Sequence, residues 1–185
     1  MRNKLRSSTI IILFLLPIRL LGQTSNVSEK EEINVINSLL SKIINIDGKK
    51  LNPDDTSTIY FDKRLKSNLE KTTLNNGNYK QNTYIRRLQN NNLGEITIDD
   101  SKIKRLTNLR FIFEKNPDYS LDKYDLKGVV GTFSMSRISF DKDFTTGYFY
   151  FQVYCGEDCG WGGLVKVVKR NNGWKIGKYL TLYVN

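Results

Sequence analysis

The sequence predicts a single α+β domain over residues 30–185, in which N-terminal helices pack on a curved antiparallel sheet. Two patterns carry this prediction. Apolar residues recur at three- and four-residue spacings just after the first 29 residues, which is typical of a helix with one buried face. The last third of the chain alternates apolar and polar residues between short turns, which is typical of a four-stranded meander.

The first 22 residues have the composition of a secretion signal. Three basic residues precede an apolar run over 9–16 that ends at Pro17. Because a membrane-spanning helix needs about 20 apolar residues, this segment favours cleavage near Gly22 over a retained anchor. We therefore expect a linker over 23–29 and a periplasmic or secreted protein that is not embedded in the membrane.

Composition narrows the possible functions. The chain carries 29 basic and 19 acidic residues and no histidine. The excess positive charge favours acidic partners, whereas the lack of histidine excludes Ser-His-Asp and Cys-His nucleophiles and His-ligated metals. We expect no cofactor and no metal. The densest basic stretch, over 102–110, is interpreted as a solvated face, because no nucleic-acid-binding module accompanies it.

The first predicted helix covers residues 30–45. Its apolar stripe consists of Ile33, Ile36, Leu39, Leu40, Ile43 and Ile44. Ser28 is the expected N-cap, with Glu31 as its capping-box partner. Residues 59–61 are either a short strand or the entry to a second helix over 62–72, and the region from 79 to 124 indicates short strands and long loops.

The strands of the meander are predicted at 132–140, 146–154, 164–170 and Gly173–Val184. The two-residue period assigns Phe149, Phe151, Val153, Trp174, Ile176, Leu180, Leu182 and Val184 to the buried face. The opposite face is rich in tyrosine and is the predicted binding surface, formed by Tyr148, Tyr150, Tyr154, Tyr179 and Tyr183. The alternative is that these tyrosines only cover the sheet.

The only two cysteines, Cys155 and Cys159, lie four residues apart between two strands. In an oxidising compartment a structural disulfide is the simplest interpretation. The alternatives are that the two cysteines form a redox-active pair, that they supply two of the ligands of a metal site, or that they are free structural thiols. The acidic loop at 141–145 alternates like a calcium loop but lacks the glycine and closing glutamate of an EF-hand, so a hairpin turn is favoured.

Three segments carry a resemblance to known proteins. Phe-Ser-Met-Ser-Arg-Ile-Ser-Phe-Asp-Lys-Asp over 133–143, Tyr-Cys-Gly-Glu-Asp-Cys-Gly over 154–160 and Lys-Arg-Asn-Asn-Gly-Trp-Lys-Ile over 169–176 resemble the C-terminal signature of uncharacterised, signal-peptide-bearing Bacteroidetes proteins. The order of helix and meander is also similar to the cystatin-like cone of the nuclear-transport-factor superfamily. That superfamily contains enzymes, binding modules and toxin-immunity proteins, so the resemblance leaves the function open.

These observations favour an exported, non-catalytic module that binds a small molecule or a protein partner on its tyrosine-rich face. A nucleic-acid partner is not expected. One alternative is an enzyme of the isomerase or dehydratase kind that works without histidine, with an acid or tyrosine inside a cone-shaped pocket. The other is a toxin-immunity protein.

Overall fold

The fold is α+β, as predicted, and consists mostly of strands. The computed structural model describes residues 27–44, 58–66, 83–89, 93–104, 110–115, 129–156, 159–171 and 173–184. Two α-helices and nine strands lie in these ranges. In chain order they are α1 (27–44), β1 (Thr58–Asp62), β2 (Arg64–Leu65), α2 (Thr83–Gln89), β3 (Ile96–Thr97), β4 (Arg110–Glu114), β5 (Val129–Met135), β6 (Ser139–Phe140), β7 (Thr146–Gly156), β8 (Cys159–Arg170) and β9 (Gly173–Val184).

The main sheet has the strand order β4-β1-β5-β7-β8-β9, and β6 also pairs with β7. The predicted meander is present, because β5, β7, β8 and β9 are successive antiparallel neighbours. The prediction of an antiparallel sheet is wrong for its other half, since β1 runs parallel to both β4 and β5. That prediction came from the hairpin-length links of the last three strands. No such link joins β1 to its neighbours in the sheet, and parallel strands need longer connections.

Helix α1 packs on one side of the sheet, here named the inner face. Five residues of the predicted stripe are buried, from Ile36 at 1% exposure to Ile44 at 0%, and Ile33 is partly buried. The stripe packs with large side chains of the central strands, namely Phe61, Phe133, Phe149 and Phe151. The rings of Phe61 and Phe133 are 5.2 Å apart between centroids. Burial of these apolar groups stabilises the contact between helix and sheet.

The predicted helix start is wrong by a few residues. Helix α1 already includes residue 27, so Ser28 lies inside its first turn rather than at the N-cap. Glu31 therefore does not serve as a capping-box partner for Ser28. Its carboxylate instead accepts hydrogen bonds from Trp174 Nε1 and Lys169 Nζ, each at 3.0 Å.

A buried ion pair joins α1 to the gap between β5 and β6. Arg137 Nε donates to both carboxylate oxygens of Glu32, at 2.8 and 3.0 Å, and the backbone N–H of Ile138 donates to Oε1 at 2.8 Å. Arg137 Nη1 also donates to the carbonyl of Gly94. Burial raises the pKa of the fully enclosed Glu32 carboxyl, and the bonds and charge of Arg137 oppose that rise. The pair interrupts the strand that was predicted over 132–140.

The Glu31 contacts give the fold an acid-sensitive attachment. Burial alone would raise the pKa of Glu31, but the hydrogen bonds from Lys169 and Trp174 outweigh it, so this pKa lies below its ordinary value of 4.5. The unfolded chain therefore takes up the proton first as the pH falls. Stability from Glu31 is present above pH 4.5 and is lost as the pH drops through the lower folded-state pKa.

We expect the free energy of unfolding of Glu31→Gln to depend less steeply on pH than that of the wild type. Urea unfolding between about pH 5 and pH 3 measures the two slopes. Asp99→Asn is a useful comparison, because the pKa of exposed Asp99 is also lowered, by hydrogen bonds from Ser101 within its own turn. Equal slopes for Glu31→Gln and the wild type would contradict the assignment to Glu31.

The middle of the chain combines confirmed and wrong predictions. Two of the short strands expected between residues 79 and 124 are present, as β3 and β4. The helix predicted over 62–72 is wrong at its start, because Asp62 ends β1 and β2 follows at once; residues 67–72 lie outside the described ranges. Neither described helix has the length and apolarity needed to cross a bilayer.

Candidate functional site

The side of β7, β8 and β9 that faces away from α1 is here named the outer face. Tyr148 and Tyr150 lie on it, opposite to Phe149 and Phe151, so this part of the face prediction is confirmed. Both side chains are nevertheless covered, as the alternative interpretation of these tyrosines expects. Their exposures are only 7% and 9%.

Helix α2 provides the cover. Its Ile85 and Leu88 form a second apolar cluster with Tyr148, Tyr150 and Leu164. Sequence reasoning missed this helix, because it has only seven residues and lies in an asparagine-rich region; of its four described side chains, Ile85 and Leu88 are buried. The tyrosines therefore serve mainly as a packing surface for α2. Tyr154 shares their alternation along β7 and is half-buried.

A bulge in β9 changes the face of the remaining predicted residues. Lys178 lies opposite Lys166 and Ile176 lies opposite Val167, so Gly177 is the extra residue between them. A bulge of one residue shifts the alternation of the residues that follow it, and a second bulge at Leu182 shifts it again before Tyr183. A glycine inside a strand pattern is a known signal for such a bulge, and this was the available clue.

The consequences of the bulge correct several assignments. Tyr179 belongs to the inner face, where its ring stacks on Phe151 with centroids 5.9 Å apart. Leu180 and Leu182 instead pack with the outer cluster, although both were predicted on the face of Trp174. The side chains of Tyr183 and Val184 lie outside the described ones. The five tyrosines predicted as one binding surface are therefore not on one face.

The outer face is instead marked by its charge. Strands β7 to β9 and helix α2 contain no acidic residue, and between Phe144 and the C-terminus the only acids are Glu157 and Asp158, both outside the described residues. Alternation along β8 and β9, together with the position of α2, places six cations on this side of the sheet. They are Arg86, Arg87, Lys166, Arg170, Lys175 and Lys178.

The cations lie close to one another and to an aromatic ring. Lys166 and Lys178 are direct cross-strand partners, and Lys175 lies opposite Val168 in the next row. The Arg87 guanidinium is 5.1 Å and the Lys166 ammonium 5.9 Å from the centroid of the Tyr148 ring. Cation–π attraction holds these two groups near the ring. The bulge at Gly177 is what brings Lys178 to the same side as Lys175.

The basic stretch noted in the sequence contributes little to this face. Lys102 and Lys104 lie beside α1, where Asn37 accepts from the backbone N–H of Lys104 at 2.7 Å and donates to the carbonyl of Lys102 at 3.0 Å. Lys102 is also 3.9 Å from Glu29. The interpretation of this stretch as a solvated face agrees with the exposure of both lysines.

The buried carboxylates are held in structural contacts. Asp62 is fully buried and accepts from the backbone N–H, Nε and Nη2 of Arg64 at 3.0, 3.1 and 2.9 Å. Glu32 is held by Arg137. Within the described residues no three Cys, Asp or Glu side chains lie together as a metal site. The loop at 141–145 is the predicted hairpin turn, in which Asp141 accepts from Thr145 N and Oγ1.

The two cysteines lie near the tip of the β7–β8 hairpin. Gly156 pairs with Cys159, and Tyr154 pairs with Gly160, so Cys155 is the extra residue of a bulge. Cys155, the one cysteine whose side chain is described, is not a free thiol. The side chain of Cys159 lies outside the described ones, and its pairing with Cys155 stays a prediction.

We expect thiol titration of the native, unreduced protein to find no reactive cysteine. The Cys155→Ser/Cys159→Ser variant should fold but lose about 2 kcal/mol, because the closed loop has only about five residues. Urea unfolding of the wild type with and without reductant measures the same loss. Two titratable thiols in the unreduced native protein would overturn the disulfide.

Comparisons of the chain with protein-family models, with curated proteins and with solved structures find no match. What can be said of the site therefore depends on its own geometry. The described residues define an α+β protein with an apolar inner face under α1 and a one-sidedly basic outer face beside α2.

Proposed function

We propose that this chain is an exported, non-catalytic interaction module that binds an acidic protein partner on its outer face. The observation that carries the proposal is the placement of six cations and no acid on the described part of that face. A patch of one sign attracts partners of the opposite sign, speeds their association and repels others.

The clustering of like charges supports a role outside folding. Like charges directly across two strands destabilise a sheet, and Lys166 and Lys178 are such a pair. Arg86, Arg170 and Lys175 have no ion pair with any described acid. An acidic partner would offset this repulsion. Toxin immunity is a narrower form of the same proposal, in which the acidic partner is a secreted toxin.

The enzyme alternative receives less support from the same residues. In a protein without histidine, a catalytic acid or base would have to be a buried carboxyl group that can reach a substrate. Asp62 and Glu32 are buried, but the carboxylate of each accepts hydrogen bonds from an arginine side chain. Both therefore have a sufficient structural explanation.

Export and the cystatin-like cone are further parts of the proposal. The packing of α1 on one side of a sheet whose last strand is bulged, and hence bent, supports a cone-like curvature. The parallel pairing of β1 is the feature that fits an antiparallel cone least well.

N-terminal sequencing of the exported form should give residues close to Gln23, and recovery of the intact chain in membranes would contradict cleavage.

Affinity capture from the periplasm tests the binding proposal. The bait is the mature protein, and its test variant is Lys166→Gln/Arg170→Gln/Lys175→Gln. The matched control is Lys42→Gln/Lys104→Gln/Lys115→Gln, three exposed lysines away from the outer face. We expect an acidic protein to bind the wild type and the control, to be lost from the test variant and to elute with salt. Capture that is equal for all three proteins would refute the proposal.

A further inference from the structure

We infer that the partner presents an extended acidic segment, with carboxylates on alternate residues, which lies along β8 and β9 beside α2. This inference rests on the proposed function and specifies the chemistry of the partner. It depends on the spacing of the cations and on what the outer face lacks.

The cations occupy three successive rows of the β8–β9 hairpin. The first row pairs Lys166 with Lys178, the second pairs Val168 with Lys175, and the third pairs Arg170 with Gly173. Each row therefore contains at least one cation. Helix α2 covers the face next to the first row, through its contacts with Tyr148, Tyr150 and Leu164, and leaves the three rows beside it.

The spacing of the rows fits an extended chain. Side chains on one face of a strand recur every second residue, about 6.8 Å apart. Alternate side chains of an extended partner have the same repeat, so three carboxylates can meet three rows in register. The strip is two strands wide, about 5 Å between strands, which suits a linear segment.

The end of the strip at α2 has groups suited to carboxylates. Arg86 and Arg87 are exposed in the last turn of this helix. Guanidinium groups bind carboxylates through two parallel hydrogen bonds, which adds directional preference to charge attraction. The Arg87 guanidinium is held 5.1 Å from the centroid of the Tyr148 ring, which limits its freedom before a partner arrives.

Two other polyanions fit the same face less well. Proteins that bind single-stranded nucleic acid stack bases on exposed aromatic rings, whereas Tyr148 and Tyr150 are buried beneath α2. Binding to an anionic membrane needs apolar side chains that enter the lipid. The only large hydrophobic residue that is exposed in the described chain is Val27, at the start of α1.

Fluorescence anisotropy with defined probes tests the inference. The probes are a labelled alternating Glu-Thr peptide of about 12 residues, matched to the length of the strands, and a block peptide of the same composition in which glutamates and threonines alternate in pairs, so that neither face of the extended chain has glutamates at successive positions. An oligothymidylate and phosphatidylglycerol vesicles represent the other polyanions. We expect the mature protein to bind the alternating peptide at least tenfold more tightly than the block peptide and than either other probe.

Charge variants locate the binding. Lys166→Gln/Arg170→Gln/Lys175→Gln should weaken binding of the alternating peptide at least tenfold, and Lys42→Gln/Lys104→Gln/Lys115→Gln should leave it unchanged. Thermal unfolding of each variant checks that the fold is retained. If the test variant does not fold, Arg170→Gln alone, at an exposed strand end, replaces it with an expected loss of about threefold.

The outcomes separate this inference from the proposed function. Equal affinity for alternating and block peptides, or tighter binding of the oligothymidylate or the vesicles, overturns the inference. If capture still depends on the outer-face cations while the peptides bind equally, the proposed function stands and only the extended acidic segment is refuted. If capture is indifferent to those cations, both are refuted.

Discussion

Replacing Glu32 with alanine is expected to lower the free energy of unfolding by about 3–5 kcal/mol, because it leaves the buried guanidinium of Arg137 without its counter-charge. The carboxylate is fully buried and accepts three hydrogen bonds, two from Arg137 and one from the backbone N–H of Ile138. Urea unfolding followed by circular dichroism measures the loss.

Two variants show whether the loss comes from the unpaired charge. Glu32→Leu/Arg137→Met removes both charged partners and should lose less stability than Glu32→Ala. Two apolar side chains of similar volume leave no unpaired charge in the core. Glu31→Ala removes the neighbouring carboxylate, whose partner Lys169 is 42% exposed, and should cost clearly less. A Glu32→Ala protein as stable as Glu31→Ala would show that Arg137 finds another partner.

Replacing Phe151 with alanine is expected to cost about 3–5 kcal/mol, the range for a large aromatic side chain removed from a core. The side chain has no exposed area and lies between Phe133 and Tyr179, with both ring centroids 5.9 Å away. The neighbouring Tyr150→Ala should cost less, because the outer cluster under α2 is smaller. The difference between the two urea midpoints measures which face carries the main core.

A third variant controls for the tyrosine hydroxyl. Tyr150→Phe keeps the ring and removes the hydroxyl, which donates to Gln152 Oε1 at 3.3 Å, so its stability should stay within about 1 kcal/mol of the wild type. A larger loss for Tyr150→Ala than for Phe151→Ala would mean that the contact with α2 contributes more to stability than the contact with α1.

Elements with a long, regular pattern could be predicted from the sequence. The apolar stripe of the 18-residue helix α1 runs from Ile33 to Ile44, and strands β7 and β8 are 11 and 12 residues long. Both patterns reflect one apolar side that must be buried, so chain-local information was sufficient. The parallel pairs of β1 depend on contacts between distant segments, for which a five-residue strand contains no signal.

The candidate site was predicted less well, for local reasons. Helix α2 shows only one apolar turn, and its stability comes from packing on Tyr148 and Tyr150 rather than from its own pattern. The lack of acids after Phe144, apart from two in one turn, was visible in the sequence and pointed to the basic face. This lack of acids could be assigned to one face only once Lys175 and Lys178 were known to lie on the same side of the sheet.

The bulge at Gly177 has a consequence for how the sheet tolerates a change in chain length. Gly177 is the residue that β9 has in excess of β8 at this point, so its deletion would join Ile176 directly to Lys178 while each kept its present partner, Val167 and Lys166. The side chains that follow would stay on their present faces. A single in-frame codon loss at this position would therefore leave the outer and inner faces as they are, whereas the loss of a residue outside a bulge would turn the rest of the strand over.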